Sequence, residues 1–98
     1  MTIEKTINAS ELTIAITGRL DTITAPQLES ELKASMEGMS SLVLDFAALD
    51  YLSSAGLRVL LAAQKVMNKQ GKMVIRNVND TIAEIFEVTG FCDILTIE

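Results

Sequence analysis

TIEKTIN and LTIAITG are rich in isoleucine and threonine in rough alternation with polar residues, and NASE between them is built of turn formers. The pattern predicts a β-hairpin over residues 2 to 18, with Gly18 closing its second strand. In TAPQLESELKASMEG the apolar positions recur every four residues, at Leu28, Leu32 and Met36, on one face of a helix that starts near residue 25. Thr24 and Gln27 have capping-box spacing, Pro26 falls in the first turn, and Gly38 is placed to end the helix. SLVLDFA is almost continuously apolar, as expected of a strand buried on both faces near the centre of a sheet. AGLRVLLAAQKVMNKQG returns to helical spacing, with Leu57, Leu60, Leu61, Gln64 and Met67 along one stripe and Gly71 as the stop. KMVIRNV is a further strand, so residues 42 to 77 form a strand, helix, strand unit, which is almost always a right-handed parallel crossover. NDTIAEIFEVTG gives a third helix, with Thr81 and Glu84 at capping-box spacing, Ile82, Ile85 and Phe86 inward and Gly90 at its end. DILTIE reads as a last strand. No repeat or internal boundary interrupts the pattern, so residues 1–98 are expected to form a single domain.

With 98 residues, 49% hydrophobic content and one proline, the chain has the size of one domain; such a domain buries roughly 60–68% of its unfolded surface. Thirteen acidic against eight basic side chains leave a formal charge of −5, which repels a nucleic-acid backbone unless a local patch reverses the field. Lys65, Lys69 and Lys72 spread around a helix end and a turn and read as a solvated face. Mean hydropathy is +0.35, yet no apolar run approaches the about 18 residues that a membrane span requires, so dense core rather than membrane insertion is expected. The segment MTIEKTINAS lacks a basic stretch followed by an apolar one, and the chain is read as cytoplasmic.

Chemistry is constrained most by what is missing. Zero histidines remove the usual general base, the usual metal ligand and the Ser-His-Asp triad together. Ser53 and Ser54 lie between the central strand and the second helix. As nucleophiles they would need a lysine or carboxylate base, and Lys65 is about three turns away along that helix. No enzyme activity, metal or cofactor is expected; Asp45 and Asp50, five apart without a third ligand, make no metal site. One serine reads as an N-cap. Gly56 in the first turn works against the helix by roughly 0.8–1 kcal/mol relative to alanine, which suggests a need for backbone room there. The loop also follows the carboxyl end of a central strand, a usual place for binding sites in open α/β sheets. The lone Cys92 follows Phe91 and is expected to be packed and unreactive.

LSSAGLRVLL, preceded by LVLDFAALDY and by GRLDTITAPQLESEL upstream, resembles the bacterial anti-sigma factor antagonists of the STAS domain family. The resemblance runs over nearly the whole chain. It implies an α/β fold of order β-β-α-β-α-β-α-β, a mixed sheet of four to five strands with helices mainly on one face. Two motifs carry it: Gly18 to Asp21 with Ala25 and Pro26, and the loop in which the family has Asp-Ser-Ser/Thr-Gly-Leu. By position, Ser54 matches the serine phosphorylated by the partner kinase, Ala55 the second hydroxyl residue, and Gly56 and Leu57 the Gly-Leu that enters the helix. The family's aspartate falls on Ser53.

The resemblance implies a binding protein rather than an enzyme. Unphosphorylated, it would hold an anti-sigma factor serine kinase of histidine-kinase-like ATPase fold and so release the sigma factor. Phosphorylation at Ser54, ahead of Ser53, would switch binding off. Asp21, Ser53, Ser54, Ala55, Gly56, Leu57 and Arg58 would form the partner surface, although Asp21 also suits a turn and Arg58 a solvated position. The alternative is a STAS interaction subunit that is not phosphorylated, for example in a lipid-transport ATPase complex, supported by Ser53 in place of aspartate.

Overall fold

A computed structural model describes residues 1–98, and the hairpin forms as read. Strands β1 (Thr2–Asn8) and β2 (Glu11–Leu20) pair antiparallel, from Thr2 opposite Thr17 to Asn8 opposite Glu11. They are followed by α1 (Ala25–Ser35), β3 (Ser41–Leu52), α2 (Ser54–Gln70), β4 (Lys72–Arg76) and α3 (Asp80–Thr89). The sheet order is β1-β2-β3-β4, and β3 lies parallel to both its neighbours. SLVLDFA is therefore interior, and β3-α2-β4 is the expected parallel crossover.

Alternation along the strands sends Leu12, Ile14 and Ile16 of β2, Leu42, Leu44 and Phe46 of β3, and Met73 and Ile75 of β4 into one core. The buried faces of all three helices join the same cluster: Leu28 and Leu32 from α1 with Met36 just past its end, Leu60 and Met67 from α2, Ile82 and Phe86 from α3. Val43 and Val74, one step out of phase, are buried but lie outside it. The helices thus cover one face of the sheet, and each fully buried aliphatic side chain contributes about 1.5–3 kcal/mol.

Where the structure departs from the sequence reading, local spacing has lost to tertiary position. β2 runs past Gly18 to Leu20 because β3 continues beside it that far. DILTIE does not form a strand. Phe91–Asp93 make a 3-10 turn, in which the Ile94 and Leu95 amides donate back to the Phe91 carbonyl. That turn consumes the first residues of the segment, and its pairing with β4 shrinks to one parallel bridge, Ile97 beside Ile75, in which the Ile75 amide donates to the Thr96 carbonyl and the Glu98 amide to the Ile75 carbonyl. The order is therefore β-β-α-β-α-β-α, with four strands. Cys92, expected to be packed, is exposed on this turn, because half-buried Phe91 and buried Leu95 take the core side. Leu61 is half-buried rather than central to the α2 stripe.

α2 closes the far end of the fold. The Gln70 side-chain amide donates to the Met36 and Met39 carbonyls, each at 2.7 Å, supplying the terminus of α1 that Gly38, three residues past it, does not cap. At Gly71 a Cβ would lie 1.8 Å from the Ser40 carbonyl oxygen, so the reversal from α2 into β4 needs a residue without a side chain.

Candidate functional site

β3 outruns β4. Their pairing ends at Asp45 opposite Arg76, yet β3 continues to Leu52 beside β2, across register shifts between Ala15 and Thr17 and between Gly18 and Arg19. Two asparagines of the β4-α3 connection hold this extension. The Asn77 amide donates to Asp45 Oδ1 at 2.9 Å, and the Asn79 amide donates to the Leu49 carbonyl at 3.0 Å. Asp45 Oδ1 also accepts from the Ala47 amide at 2.9 Å. The Asn77 bond first, then that of Ala47, holds the Asp45 carboxyl below the usual carboxylate range. Asp45 is thereby a bulge clamp.

The extension delivers the chain to Ser53, whose amide donates to the Leu20 carbonyl at 2.9 Å and ties the end of β3 to the end of β2. Ser53 is the N-cap of α2 in extended conformation, but its side chain makes no capping bond. Its Oγ is buried without a protein hydrogen-bond partner. Ser54, the first residue of the helix, is exposed. The expected serine cap is therefore not made by either residue.

Behind the serines the helix packs down. Ala55, Gly56 and Leu57 are buried. A Cβ on Gly56 would lie 2.6 Å from Leu52 Cδ1 and 2.8 Å from Leu20 Cγ. This corrects the expectation that the glycine opens the loop to a visitor: it lets α2 sit close on the ends of β2 and β3. Gly56 and Leu57 set the height of the serines from below. Ala55 has a second role, since with Arg58, Val59, Thr22, Ala25, Pro26 and Glu29 it lines a groove of ≈ 360 Å³ between the starts of α1 and α2.

Asp21 stands at the adjoining turn. Its Oδ1 accepts from the amides of Ile23 at 3.0 Å and Thr24 at 3.1 Å. The Thr24 amide leads in holding its carboxyl below the usual range, helped by the Ile23 amide and by Arg19. Thr24, predicted to open a capping box, makes no capping bond. Its hydroxyl donates instead to the Arg19 carbonyl at 2.8 Å.

Sequence reasoning missed three neighbours. Arg19 lies with its Nε 3.6 Å from Asp21 Oδ2 and its guanidinium carbon 4.3 Å from the centroid of the Tyr51 ring. Arg19 and Tyr51 are cross-strand partners, so only the β2-β3 register could have joined them. Ile23 is 87% exposed beside the same turn. Its signal was an apolar residue in DTIT that belongs to no periodic face. Asp21, Ser53, Ser54 and Arg58 thus occupy one end of the fold, around the junction of the β2-α1 and β3-α2 connections.

That end carries an exposed hydroxyl on a helix start, a flanking groove and aromatic, aliphatic and charged side chains facing outward. Such a surface can bind a protein and receive a charged group. No helix is long and apolar enough to cross a membrane. Comparison with known proteins gives the family. The STAS domain family matches residues 2–98. The candidate anti-sigma factor antagonist BtrV of Bordetella bronchiseptica is 40% identical over 88 residues, covering 88% of this chain and 76% of that protein. Among solved structures, an anti-sigma factor antagonist from Mycobacterium paratuberculosis superposes with a TM-score of 0.88 at 23% identity, over 98% of this chain and 83% of that one. The Bacillus cell fate determinant SpoIIAA in its phosphorylated form superposes with a TM-score of 0.77 at 15% identity, over 99% and 91%. With one family model matching residues 2–98 and the fold shared with its solved members, the chain belongs to the STAS domain family.

Proposed function

We propose that this STAS domain is an anti-sigma factor antagonist whose unphosphorylated form binds an anti-sigma factor kinase and thereby frees a sigma factor. Phosphate on Ser54 ends that binding. The domain works by occupying its partner, not by catalysis. The observation that carries the reading is Ser54 itself: exposed, first in α2, and without a side-chain hydrogen bond to the rest of the fold. A hydroxyl without a structural task can be modified without unfolding the protein. A phosphate there adds about −1.5 to −2 charges at a helix end that tolerates them. The partner surface, fitted to the neutral serine, does not.

The relatives support the antagonist role, and a SpoIIAA structure in phosphorylated form supports a switch of this kind within the fold. The test is incubation with the cognate kinase and ATP, followed by mapping of phosphosites. One phosphate at Ser54 is expected, absent from Ser54→Ala. An unmodified protein in the presence of a kinase that phosphorylates another STAS partner would overturn the reading.

One observation favours a second reading, a STAS subunit that docks through this loop without being phosphorylated. At position 53 the loop carries a serine with a buried, unpartnered hydroxyl where the antagonists it resembles carry aspartate. The variant Ser53→Asp separates the two. If phosphate appears on Ser54 only in that variant, the unphosphorylated subunit is the better account.

A further inference from the structure

Four of the eight basic side chains, Lys5, Arg19, Lys33 and Arg76, are ion-paired within the fold. Three of the other four, Arg58, Lys65 and Lys69, lie on α2, which contains no acidic residue. All three are exposed. From Ser54 the helix places Arg58, Ala62, Lys65 and Lys69 at steps of four, four, three and four residues, which stacks them in one stripe. At 1.5 Å per residue the stripe runs about 22 Å from the serine. Beside it a second trough, of ≈ 210 Å³ and mainly apolar, continues between α1 and α2 through Val59, Ala62 and Val66. Val66 is 41% exposed there.

This concentration stands out against the charge of the whole chain. Residues 1–76 carry eight acidic and eight basic side chains, and residues 77–98 carry five acidic and none basic. A protein with a net charge of −5 thus keeps an unneutralised cationic face on the helix that begins at its candidate switch. Isolated surface cations are commonly solvated, but three aligned cations with no acidic residue on their own helix, bordering a mainly apolar trough whose one carboxylate, Glu29 of α1, is already paired with Lys33, have the makeup of a docking face.

We propose, resting on the antagonist reading above, that the anti-sigma factor presents an acidic surface to this α2 face, extending the contact from Ser54 as far as Lys69. The partner's charge follows from complementarity. The same complementarity explains why phosphate is a strong switch here, because it places negative charge where a negative surface must lie and offers Arg58, one turn on, a closer anion. An anionic membrane is the less fitting occupant: the exposed stripe holds only alanine and valine as apolar residues, and the acidic segment 77–98 repels such a surface.

The test measures affinity for the purified cognate anti-sigma factor. Lys65→Gln with Lys69→Gln removes two charges from exposed helix positions and leaves the serine loop intact. Binding should weaken about tenfold, and parent affinity should fall as salt rises from about 0.05 to 0.5 M. Thr6→Glu with Asn8→Glu lowers net charge by the same amount on β1, at the other edge of the sheet, and should change affinity by less than about twofold. If the parent binds and the lysine pair binds equally well, the docking face is wrong while the antagonist reading stands. If the parent itself does not bind, the antagonist reading fails and takes this proposal with it. Lysine-dependent sedimentation with phosphatidylserine vesicles would also overturn the assignment to a protein partner.

Discussion

α2 and α3 begin at the same end of the sheet and in the same way on paper, each with a polar residue in extended conformation at the N-cap. Their chemistry is opposite. At α3 the Asn79 side chain accepts from the Ile82 amide at 2.9 Å and donates to the Leu49 carbonyl at 3.0 Å, so one residue caps the helix and ties it to β3. At α2 the Ser53 hydroxyl does neither, and Ser54 points to solvent. Side-chain capping stabilises α3, while α2 is held by the packing of Gly56 and Leu57 and by the backbone bond from Ser53 to Leu20. One helix start is closed for stability. The other is held from behind and left free in front, as the proposed switch at Ser54 requires.

Substitutions can break that contrast. The largest effect is expected from Asn79→Ala, which removes the cap, worth about 1 kcal/mol, and strands the Leu49 carbonyl at a further cost of about 1–2 kcal/mol. Chemical denaturation should show a loss of roughly 2–3 kcal/mol by those two contributions. A loss below half that range would mean the cap is not structural. Gly56→Ala comes next, because overpacking against Leu20 and Leu52 costs about 1–3 kcal/mol and the gain in helix propensity returns about 1. A variant more stable than its parent would show that the glycine is kept for some purpose other than close packing.

Ser54→Ala should change stability by less than about 0.5 kcal/mol, and Ser53→Ala, which removes a buried hydroxyl without a partner, should not lower it, where a working cap would cost about 1. Losing about 1 kcal/mol at either serine would erase the contrast with Asn79.

The smallest effect concerns pH. Asp21 and Asp45 both have carboxyls held below their ordinary value of 3.8 by hydrogen bonds to the charged form, led by the Thr24 amide for Asp21 and the Asn77 amide for Asp45. Such a group adds stability that is fully present above the unfolded value and is lost as pH falls through the folded one. Denaturation midpoints of the parent should therefore drop below pH 3.8, more steeply than those of Asp21→Asn and Asp45→Asn. Parallel curves would remove both carboxyls from the account.

The same contrast shows what sequence could reveal. Hydrophobic periodicity located the hairpin, the three helices and the interior strand, because burial on one face repeats at fixed intervals along the chain. It could not say which polar residue caps. Thr24 and Thr81 have the spacing, but Asn79 lies where α3 meets β3, and Thr24 is recruited by the Arg19 carbonyl. The last strand failed for a related reason, since a 3-10 turn uses residues that would otherwise pair, and with it went the packing expected for Cys92. At the site, the place of Ser53 and Ser54 between the interior strand and α2 was legible from the change of hydrophobic period. Arg19 and Tyr51 were not, because they meet only through strand register, and the role of Gly56 depended on knowing what lies beneath it.

The central claim is that the open helix start is a switch, and calorimetric titration of the cognate anti-sigma factor tests it directly. The parent should bind. Protein carrying phosphoserine at position 54, and Ser54→Asp, should keep the fold and bind at least about tenfold more weakly, the scale expected for unmatched charge in an interface. Equal affinity of all three forms, with the partner's activity toward its sigma factor confirmed, would contradict the account.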